Sequence, residues 1–216
     1  MKDIIKLTAV LTIISVAAAL IIALAYVKTK GTIEDGQKKA QETALDMVVP
    51  AGSVLTEKKG DGSLKPAQYW EASKGDDQFY IFKISSTGYS SDIIYLVSVD
   101  TEGLVYGMTI MQQAETPGLG SRVQEVISKE YIWNGLFSKA EKGNTWFTEQ
   151  FSGLNVNNEI GIDKSMGEWH KLDGKSKDAL KAKNSITAIT GSTISTRAVT
   201  KGLEVKARGY LKAIRG

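Results

Sequence analysis

The chain has 216 residues, of which 27 are lysine or arginine and 24 are aspartate or glutamate, giving a formal net charge of +3. It contains no cysteine and one histidine, which excludes disulfides, iron–sulfur clusters, thiolate zinc sites and metal sites with several histidines. The net charge is too small to indicate nucleic-acid binding. A metal site made only of carboxylates and a Ser–His–Asp triad built on His170 stay open. Any redox chemistry must otherwise depend on an organic cofactor.

The first strong feature along the chain is an apolar stretch near the N-terminus. Residues 7–27 contain no charged side chain, and Lys6 and Lys28 stand at its two ends. A helix of this length, rising about 1.5 Å per residue, spans about 30 Å, which is the thickness of the hydrocarbon core of a bilayer. Tyr26 occupies the position of an interfacial aromatic residue. The stretch predicts one transmembrane helix that anchors the chain.

Two alternatives to an anchor stay open. Ala23-Leu24-Ala25 has the small residues of a signal-peptide cleavage site, although signal peptides have a shorter apolar region of about 7–15 residues. A buried core helix is the other alternative, although helices of soluble proteins rarely lack a polar face. The charges that flank the stretch are nearly balanced and do not decide its orientation. We expect the commoner arrangement, with a short tail inside the cell and a long domain outside.

The pattern beyond the anchor predicts helix, loop and strands in succession. Apolar residues at helical spacing predict a connecting helix within residues 31–50, which ends at Pro50. Residues 58–65 are polar and contain glycine, and they indicate a loop. Asp100-Thr101-Glu102-Gly103 predicts a hairpin-like turn between two strands. The predicted strands are rich in aromatic and β-branched residues and cover 78–84, 93–99 and 104–110.

The C-terminal region predicts an amphipathic helix. Its apolar residues step by three or four positions: Val199, Leu203, Ala207, Tyr210 and Ile214. Strands that follow one another and are flanked by helices are typical of the α+β class. The sequence therefore predicts an antiparallel sheet flanked by helices.

The first of two segments that can carry chemistry follows a predicted strand. Pro117 fixes its own φ and Gly118 tolerates a positive φ, so residues 116–119 are expected to form a tight turn. Glycines allow a flat ligand to approach the backbone closely. A dinucleotide fingerprint is excluded because the third glycine and the surrounding βαβ unit are missing. A tight loop without a ligand is the alternative. The segment reads Glu115, Thr116, Pro117, Gly118, Leu119 and Gly120.

The second segment precedes the predicted terminal helix and is rich in hydroxyl groups. Free N–H groups and the positive end of a helix dipole favour an anion such as phosphate at this position. Arg197 can add a charge-assisted hydrogen bond. A plain helix cap is the alternative, because serine and threonine are the preferred capping residues. The segment comprises Thr190, Gly191, Ser192, Thr193, Ile194, Ser195 and Thr196.

Together with the anchor, the two segments resemble a known family. The chain is similar to the membrane-anchored FMN-binding subunits of the Rnf and Na⁺-translocating NADH:quinone oxidoreductase complexes, and above all to the G subunit of Rnf, the ferredoxin–NAD⁺ complex. The likeness covers the anchor and most of residues 80–200. It includes Gly88-Tyr89, Trp146-Phe147, the segment 150–153 and the segment 194–199.

The resemblance implies a covalent cofactor. In that family a Ser/Thr-Gly-Ala-Thr motif carries FMN, joined through its phosphate to the last threonine, which corresponds to Thr193 here. The remainder of the motif, Ser195, Thr196 and residues 115–120 are implied to bind the same FMN. Ser192 stands where the family usually has alanine, and Thr187 stands where it has an aspartate read by the flavin transferase. A threonine hydroxyl is a poor nucleophile without an adjacent base, so we expect a separate transferase to attach the flavin.

The resemblance also implies the setting of the protein. It indicates an electron-transfer subunit in a membrane-bound, ion-translocating ferredoxin:NAD⁺ oxidoreductase, with other membrane and iron–sulfur subunits as partners and no catalytic residue, metal or nucleic acid of its own. We expect a membrane anchor over 1–30, a connecting helix over 31–50 and an extracytoplasmic FMN-binding domain over 51–216. Two alternatives stay open. One is an anchored, non-redox module that binds a phosphorylated ligand at residues 190–196. The other is an FMN subunit of a Na⁺-translocating NADH:quinone reductase or of an extracellular electron-transfer chain.

The large aromatic residues are expected to be structural. The four tryptophans, Trp70, Trp133, Trp146 and Trp169, are more typical of core or interface positions than of flavin stacking. His170 is expected on the surface or in a packing contact. The charged run from Lys171 to Lys183 indicates a solvated face.

Overall fold

The computed structural model describes residues 1–62, 66–127 and 145–215. Two compact units divide the chain, Met1–Glu42 and Thr43–Gly216. Trp133 lies outside the described residues.

A single helix, α1 (Lys2–Val48), covers both the predicted anchor and the predicted connecting helix. It contains a segment long and apolar enough to cross a membrane, and none of that segment is buried in the structure. This exposure argues against the core-helix alternative. The hydroxyls of Thr8 and Thr12 donate to the carbonyls of Ile4 and Thr8 at 2.9 and 2.8 Å, so these polar groups are satisfied within the helix. α1 ends just before Pro50, as predicted.

An antiparallel sheet forms the centre of the second unit. Its five strands lie side by side in chain order: β1 (Val54–Lys59), β2 (Gln68–Lys74), β3 (Asp77–Thr87), β4 (Asp92–Asp100) and β5 (Val105–Gln112). The three predicted strands are confirmed as β3, β4 and β5. The turn between β4 and β5 is closed by the N–H of Gly103, which donates to the Asp100 carbonyl at 3.2 Å.

The sequence missed the first two strands of this sheet. The predicted loop is wrong at Lys58 and Lys59, which belong to β1 and pair with Tyr69 and Gln68. Every side chain of β1 is exposed, so this edge strand lacks the apolar alternation that identifies a strand in sequence.

Short elements complete the second unit. In chain order they are a 3₁₀-helix (Gly120–Gln124), α2 (Trp146–Glu149), β6 (Gly161–Asp163), a second 3₁₀-helix (Trp169–Lys171), α3 (Gly174–Ala182), β7 (Ser185–Thr187), α4 (Thr193–Gly202), a π-helical segment (Leu203–Ala207) and α5 (Arg208–Arg215). β6 and β7 form a small parallel pair, which was not predicted. The predicted α+β class is confirmed.

Both faces of the sheet are covered within this unit. The larger core packs side chains such as Phe82 and Tyr95 of the sheet against Phe147 and Leu203 of the later helices. On the opposite face, Trp70, Ile81 and Leu96 pack against the end of α1. A sheet covered on both faces gives the surrounding loops a rigid support.

The terminal helix is interrupted by the π-helical segment. Val199, Leu203 and Ala207 are fully buried, as the spacing predicts, but the next fully packed residue is Leu211 rather than Tyr210. A π-helical turn holds more residues than an α-helical turn, so it rotates the buried face of the residues that follow. The residue Ile214 is only half-buried for the same reason.

A buried hydroxyl fixes α4 on the sheet. Tyr95 is fully buried, and its hydroxyl donates to the Val199 carbonyl at 3.1 Å and lies 3.1 Å from Ser86 Oγ. Burial raises the pKa of Tyr95 far above its ordinary value, so the hydroxyl stays protonated and acts as a donor. The second half of α4 is thereby held against β3 and β4 through Val199.

Candidate functional site

The turn predicted at residues 116–119 is confirmed at the exit of β5. The N–H of Leu119 donates to the Thr116 carbonyl at 3.1 Å, and Gly118 has a φ of 75°. Ser121 Oγ accepts a further hydrogen bond from the Gly118 N–H at 3.1 Å. Pro117 and Gly118 are exposed and define the turn, while Leu119 is left 45% exposed at its tip.

Glu115, directly before the turn, is buried and receives four hydrogen bonds. The N–H groups of Tyr89, Ser90 and Ser91 donate to its carboxylate at 3.3, 2.9 and 3.0 Å, and Ser195 Oγ donates at 2.5 Å. Burial raises the pKa of Glu115, but the bonds from Ser195 and the three N–H groups together hold it below its ordinary value. One ionised carboxylate thus joins three segments that are far apart in sequence.

Two glycines leave room for this carboxylate. A Cβ on Gly88 would stand 2.5 Å from Glu115 Oε1, and a Cβ on Gly120 would collide with Glu115 Oε2 and stand 2.6 Å from Ser195 Oγ. Gly120 therefore has a role that was not predicted, because it admits a side chain of the protein itself.

The hydroxyl-rich segment forms the N-terminus of α4, as predicted. Ser192 occupies the cap position, but its side chain makes no capping bond and donates instead to Ser195 Oγ at 3.3 Å. Thr196 is fully buried, and its hydroxyl donates to the Ser192 carbonyl and accepts from the Ile189 N–H. The N–H groups of the first helical turn have no acceptor within the helix, so they stay available to a ligand.

The two predicted segments meet around a cavity of about 440 Å³. A Cβ on Gly191 would stand 3.1 Å from Leu119 Cδ2, which shows how closely the two walls approach. Tyr89 and Ile194 are 71% and 56% exposed and add apolar surface at the rim. The lining residues are Tyr89, Glu115, Thr116, Leu119, Gly120, Gly191, Ser192, Thr193, Ile194 and Ser195.

Four of the predicted site residues do not line this cavity. Pro117 and Gly118 point outward in the turn, Thr190 precedes the cavity, and Thr196 is buried beneath it. Thr193 is different because it lines the cavity and is half-buried, and its hydroxyl makes no hydrogen bond to a residue within the described ranges. The side chain at the implied attachment position therefore faces the cavity without a hydrogen-bond partner among the described residues.

A second buried carboxylate, Glu168, binds the N-terminal end of the hydroxyl-rich segment, at Thr190. It is 2% exposed and accepts from the Thr190 N–H at 3.3 Å. Arg122 donates to both of its oxygens at 2.5 and 3.1 Å, and Lys171 Nζ lies 3.0 Å away. The bonds from Arg122, with smaller contributions from Lys171 and Thr190, lower the pKa of Glu168 to about 2 against the opposing effect of burial.

Aromatic residues surround this ion pair. Arg122 also donates to Glu125 at 2.9 Å, and Trp146 Nε1 donates to the same Glu125 oxygen at 2.9 Å. The Arg122 guanidinium lies 5.7 Å from the centre of the Trp146 ring, and the His170 ring packs on that tryptophan at 4.9 Å. His170 is in a packing contact, which was one of the two expected settings, and Trp146 is a buried core residue.

The sequence did not predict Arg122 or Glu168 as parts of the site. Glu168 stands in a polar stretch with no motif, and its partner Arg122 is 46 residues away. Tyr89 and Ile194 fell within the wider resemblance but were not singled out. Arg197 is exposed and is not among the residues that line the cavity, so its bond to an anion stays a prediction.

Thr187 lies outside the cavity, at the end of β7. It is fully buried, and its N–H and hydroxyl both donate to Gln150 Oε1, at 2.8 and 3.3 Å. Gln150 is itself fully buried and donates back to the Thr187 carbonyl. Trp70 and Trp169 are also buried, as expected of core residues.

Comparison with known proteins decides the family. A family profile described as FMN-binding domain matches residues 88–206, which is more than half of the chain. The chain is 30% identical to the G subunit of the Na⁺-translocating ferredoxin:NAD⁺ oxidoreductase complex of Acetobacterium woodii, and the match covers 97% of this chain and 92% of that protein. The chain belongs to the FMN-binding domain family.

Two further proteins are similar to this chain. The chain is 26% identical to the G subunit of the ion-translocating oxidoreductase complex of Aliivibrio fischeri, over 92% of this chain and 86% of that protein. A crystal structure of the C subunit of the Na⁺-translocating NADH-quinone reductase from Parabacteroides distasonis matches with a TM-score of 0.48 and 19% identity, over 82% of this chain and 84% of that one.

The residues around the cavity fit an FMN group. The family profile covers Tyr89, the turn and the whole hydroxyl-rich segment. The cavity volume lies within the range of about 300–1,000 Å³ that is typical of cofactor sites. The first turn of α4 offers N–H donors to a phosphate, and Tyr89, Leu119 and Ile194 offer apolar surface to a flat ring.

Proposed function

We propose that the chain is an electron-transfer subunit that carries FMN, joined through its phosphate to Thr193, in a membrane-bound ion-translocating oxidoreductase complex. The observation that carries the proposal is the cavity, because it brings Thr193 together with the turn at residues 116–119. The relative from Acetobacterium woodii is named as a subunit of a ferredoxin:NAD⁺ oxidoreductase complex, which supports this setting.

The surrounding residues would each have a separate task. Thr193 would provide the covalent link, and the N–H groups of the first turn of α4 would compensate the charge of the phosphate. Tyr89, Leu119 and Ile194 would cover part of the ring. FMN supplies the redox chemistry when bound, and the protein positions it and adjusts its electrostatic surroundings.

A separate transferase would attach the cofactor. Within the described residues, Glu115 is the one carboxylate that lines the cavity, and four donors already occupy it. It is therefore a poor general base for the Thr193 hydroxyl. His170 does not line the cavity and packs on Trp146.

The apolar part of α1 supports the membrane setting of this proposal. We assign residues 1–30 to the anchor, 31–50 to the connecting helix and 51–216 to an extracytoplasmic FMN-binding domain. The apolar part of α1 carries no charge that can line an ion path, so ion movement would depend on other subunits. Those partners would also contain the iron–sulfur centres that a chain without cysteine cannot hold.

The decisive experiment is an intact-mass measurement on the full chain, produced in a host that contains a flavin transferase. We expect the chain mass to increase by one esterified FMN, and the denatured protein to fluoresce as a band on a gel. Thr193→Val should abolish both signals, because valine has the shape of threonine without the hydroxyl.

Thr87→Val is the matched control, because Thr87 is an exposed threonine on β3 that does not line the cavity. It should keep the added mass in full. Wild-type protein that is colourless and has the unmodified mass would refute the proposal. If such protein instead binds a phosphorylated compound reversibly, the non-redox alternative is the correct one.

A further inference from the structure

The cavity carries an uneven distribution of charge. Among the described residues that line it, Glu115 is the only carboxylate, and none of the others is a lysine, arginine or histidine. No ion pair joins Glu115 to a lysine, arginine or histidine within the described ranges. Its partners are three backbone N–H groups and one serine hydroxyl, all of them neutral.

We propose that Glu115 is a fixed negative charge in the cavity wall that lowers the reduction potential of the bound flavin. This inference rests on the proposed function of the cavity. It assigns the buried carboxylate a role in setting the potential, in addition to its role in holding three segments together.

The physical reason is electrostatic. Each electron that enters a bound group adds negative charge, and a carboxylate held nearby in a poorly solvated wall disfavours that addition. Neutral hydrogen-bond donors keep the carboxylate ionised, and they leave its full charge of −1 in place. Gly88 and Gly120 lie so close to the carboxylate that a Cβ at either position would overlap it, and four hydrogen bonds hold its two oxygens in place.

Glu168 is a buried carboxylate of the same protein whose negative charge is compensated by neighbouring cations. It is buried to a similar degree, but Arg122 and Lys171 lie within 3.0 Å or less of its oxygens. Glu168 does not line the cavity. A carboxylate that served only as a structural tie would be expected to resemble Glu168, with a cation beside it.

The test is the midpoint potential of the flavin in the full chain, measured by spectroelectrochemistry in detergent. Glu115→Gln removes the charge with little change in shape, so its potential should shift upward relative to wild type. Ser195→Ala leaves the three N–H donors that keep Glu115 ionised but removes the hydroxyl dipole that screens the field of the carboxylate, so the potential should shift downward. Opposite shifts distinguish the charge from a loosened site, which would move both variants in the same direction.

A Glu115→Gln protein with a potential equal to or below that of wild type would overturn the inference. If Glu115→Gln does not fold with its flavin, Ser195→Ala decides alone: a downward shift supports the inference, and an unchanged or higher potential overturns it. Failure of the proposed function is recognised separately, because wild-type protein would then show no added FMN mass.

Discussion

Glu115 and Glu168 hold the two ends of the same segment, but they are stabilised in different ways. Glu168 accepts from the Thr190 N–H and is paired with Arg122, whereas Glu115 accepts from Ser195 Oγ and has only neutral donors. Ion pairing cancels the charge of Glu168 where it stands. The donors of Glu115 stabilise the charge without cancelling it. The carboxylate at the Ser195 end of the segment, which lines the cavity, therefore keeps its negative charge, and the carboxylate at the Thr190 end does not.

The largest expected effect comes from breaking the Glu168 pair. Arg122→Met would leave Glu168 buried and only partly compensated by Lys171, and loss of one partner of a buried pair destabilises folding by about 3–5 kcal/mol. The free energy of unfolding of the full chain in detergent, measured with urea, checks this value.

A second variant separates the charge from the packing of Arg122. Glu168→Gln, added to Arg122→Met, removes the unpaired charge but keeps an acceptor for the Thr190 N–H. We expect the double variant to be more stable than Arg122→Met alone. A double variant that is less stable than either single variant would show that charge compensation is not what Arg122 provides.

The second-largest expected effect is a loss of folding stability at acid pH. The pKa of Glu168 is about 2 in the folded protein against an ordinary value of 4.5, so the folded state binds fewer protons than the unfolded state. The resulting stabilisation, about 3 kcal/mol, is complete above pH 4.5 and is lost as the pH falls toward 2. Glu115 adds to the loss in the same direction, because its pKa is also lowered.

Urea unfolding at a series of pH values between about 7 and 2 measures this loss. The variant Glu168→Gln is the control, since it has no carboxyl to titrate at that position and should show a flatter dependence on pH. A dependence as steep as that of the wild type would assign the acid sensitivity to other carboxylates.

The smallest expected effects come from alanine substitutions at two glycines, one in the turn and one directly after it. Gly120→Ala places a methyl group against the Glu115 carboxylate and Ser195 Oγ, and we expect it to destabilise the protein by about 1–3 kcal/mol and to reduce flavin attachment. Gly118→Ala meets no atom within 4 Å and strains only the backbone at its positive φ, which costs about 1 kcal/mol. Thermal unfolding and intact mass of both variants test the difference, and equal attachment in both would show that the space beside Glu115 is not needed.

The elements that were predicted from the sequence depend on interactions between residues close together in the chain. The anchor, strands β3, β4 and β5 and the turn at residues 116–119 were all predicted, because apolar runs, alternation and a Pro-Gly pair act over a few residues. Strands β1 and β2 and the parallel pair were not. β1 is exposed along its whole length, and its pairing with β2 is decided by the sheet rather than by its own residues.

The candidate site was likewise predicted from the sequence only in part. Residues 190–196 were predicted as a helix N-terminus from their hydroxyls, and the structure places the start of α4 at Thr193. The hydroxyls of Ser195 and Thr196, however, were predicted to face a ligand. Thr196 is turned into the core, whereas Ser195 lines the cavity and donates its hydroxyl to Glu115, because each has a buried partner in the folded chain.

The sequence alone determined what kinds of chemistry were available. A chain with no cysteine and one histidine is restricted to an organic cofactor or a carboxylate-only metal site for redox work, and the family resemblance of the turn and the Thr-Gly-Ser-Thr motif implied FMN at Thr193. Only the tertiary structure decided which groups surround that threonine. Glu115 and Ser195 are 80 residues apart, and Arg122 and Glu168 are 46 apart, so their contacts exist only once the sheet and α4 are packed together. The charge balance of the cavity depends on those contacts, because it is set by which side chains the fold brings within hydrogen-bonding distance.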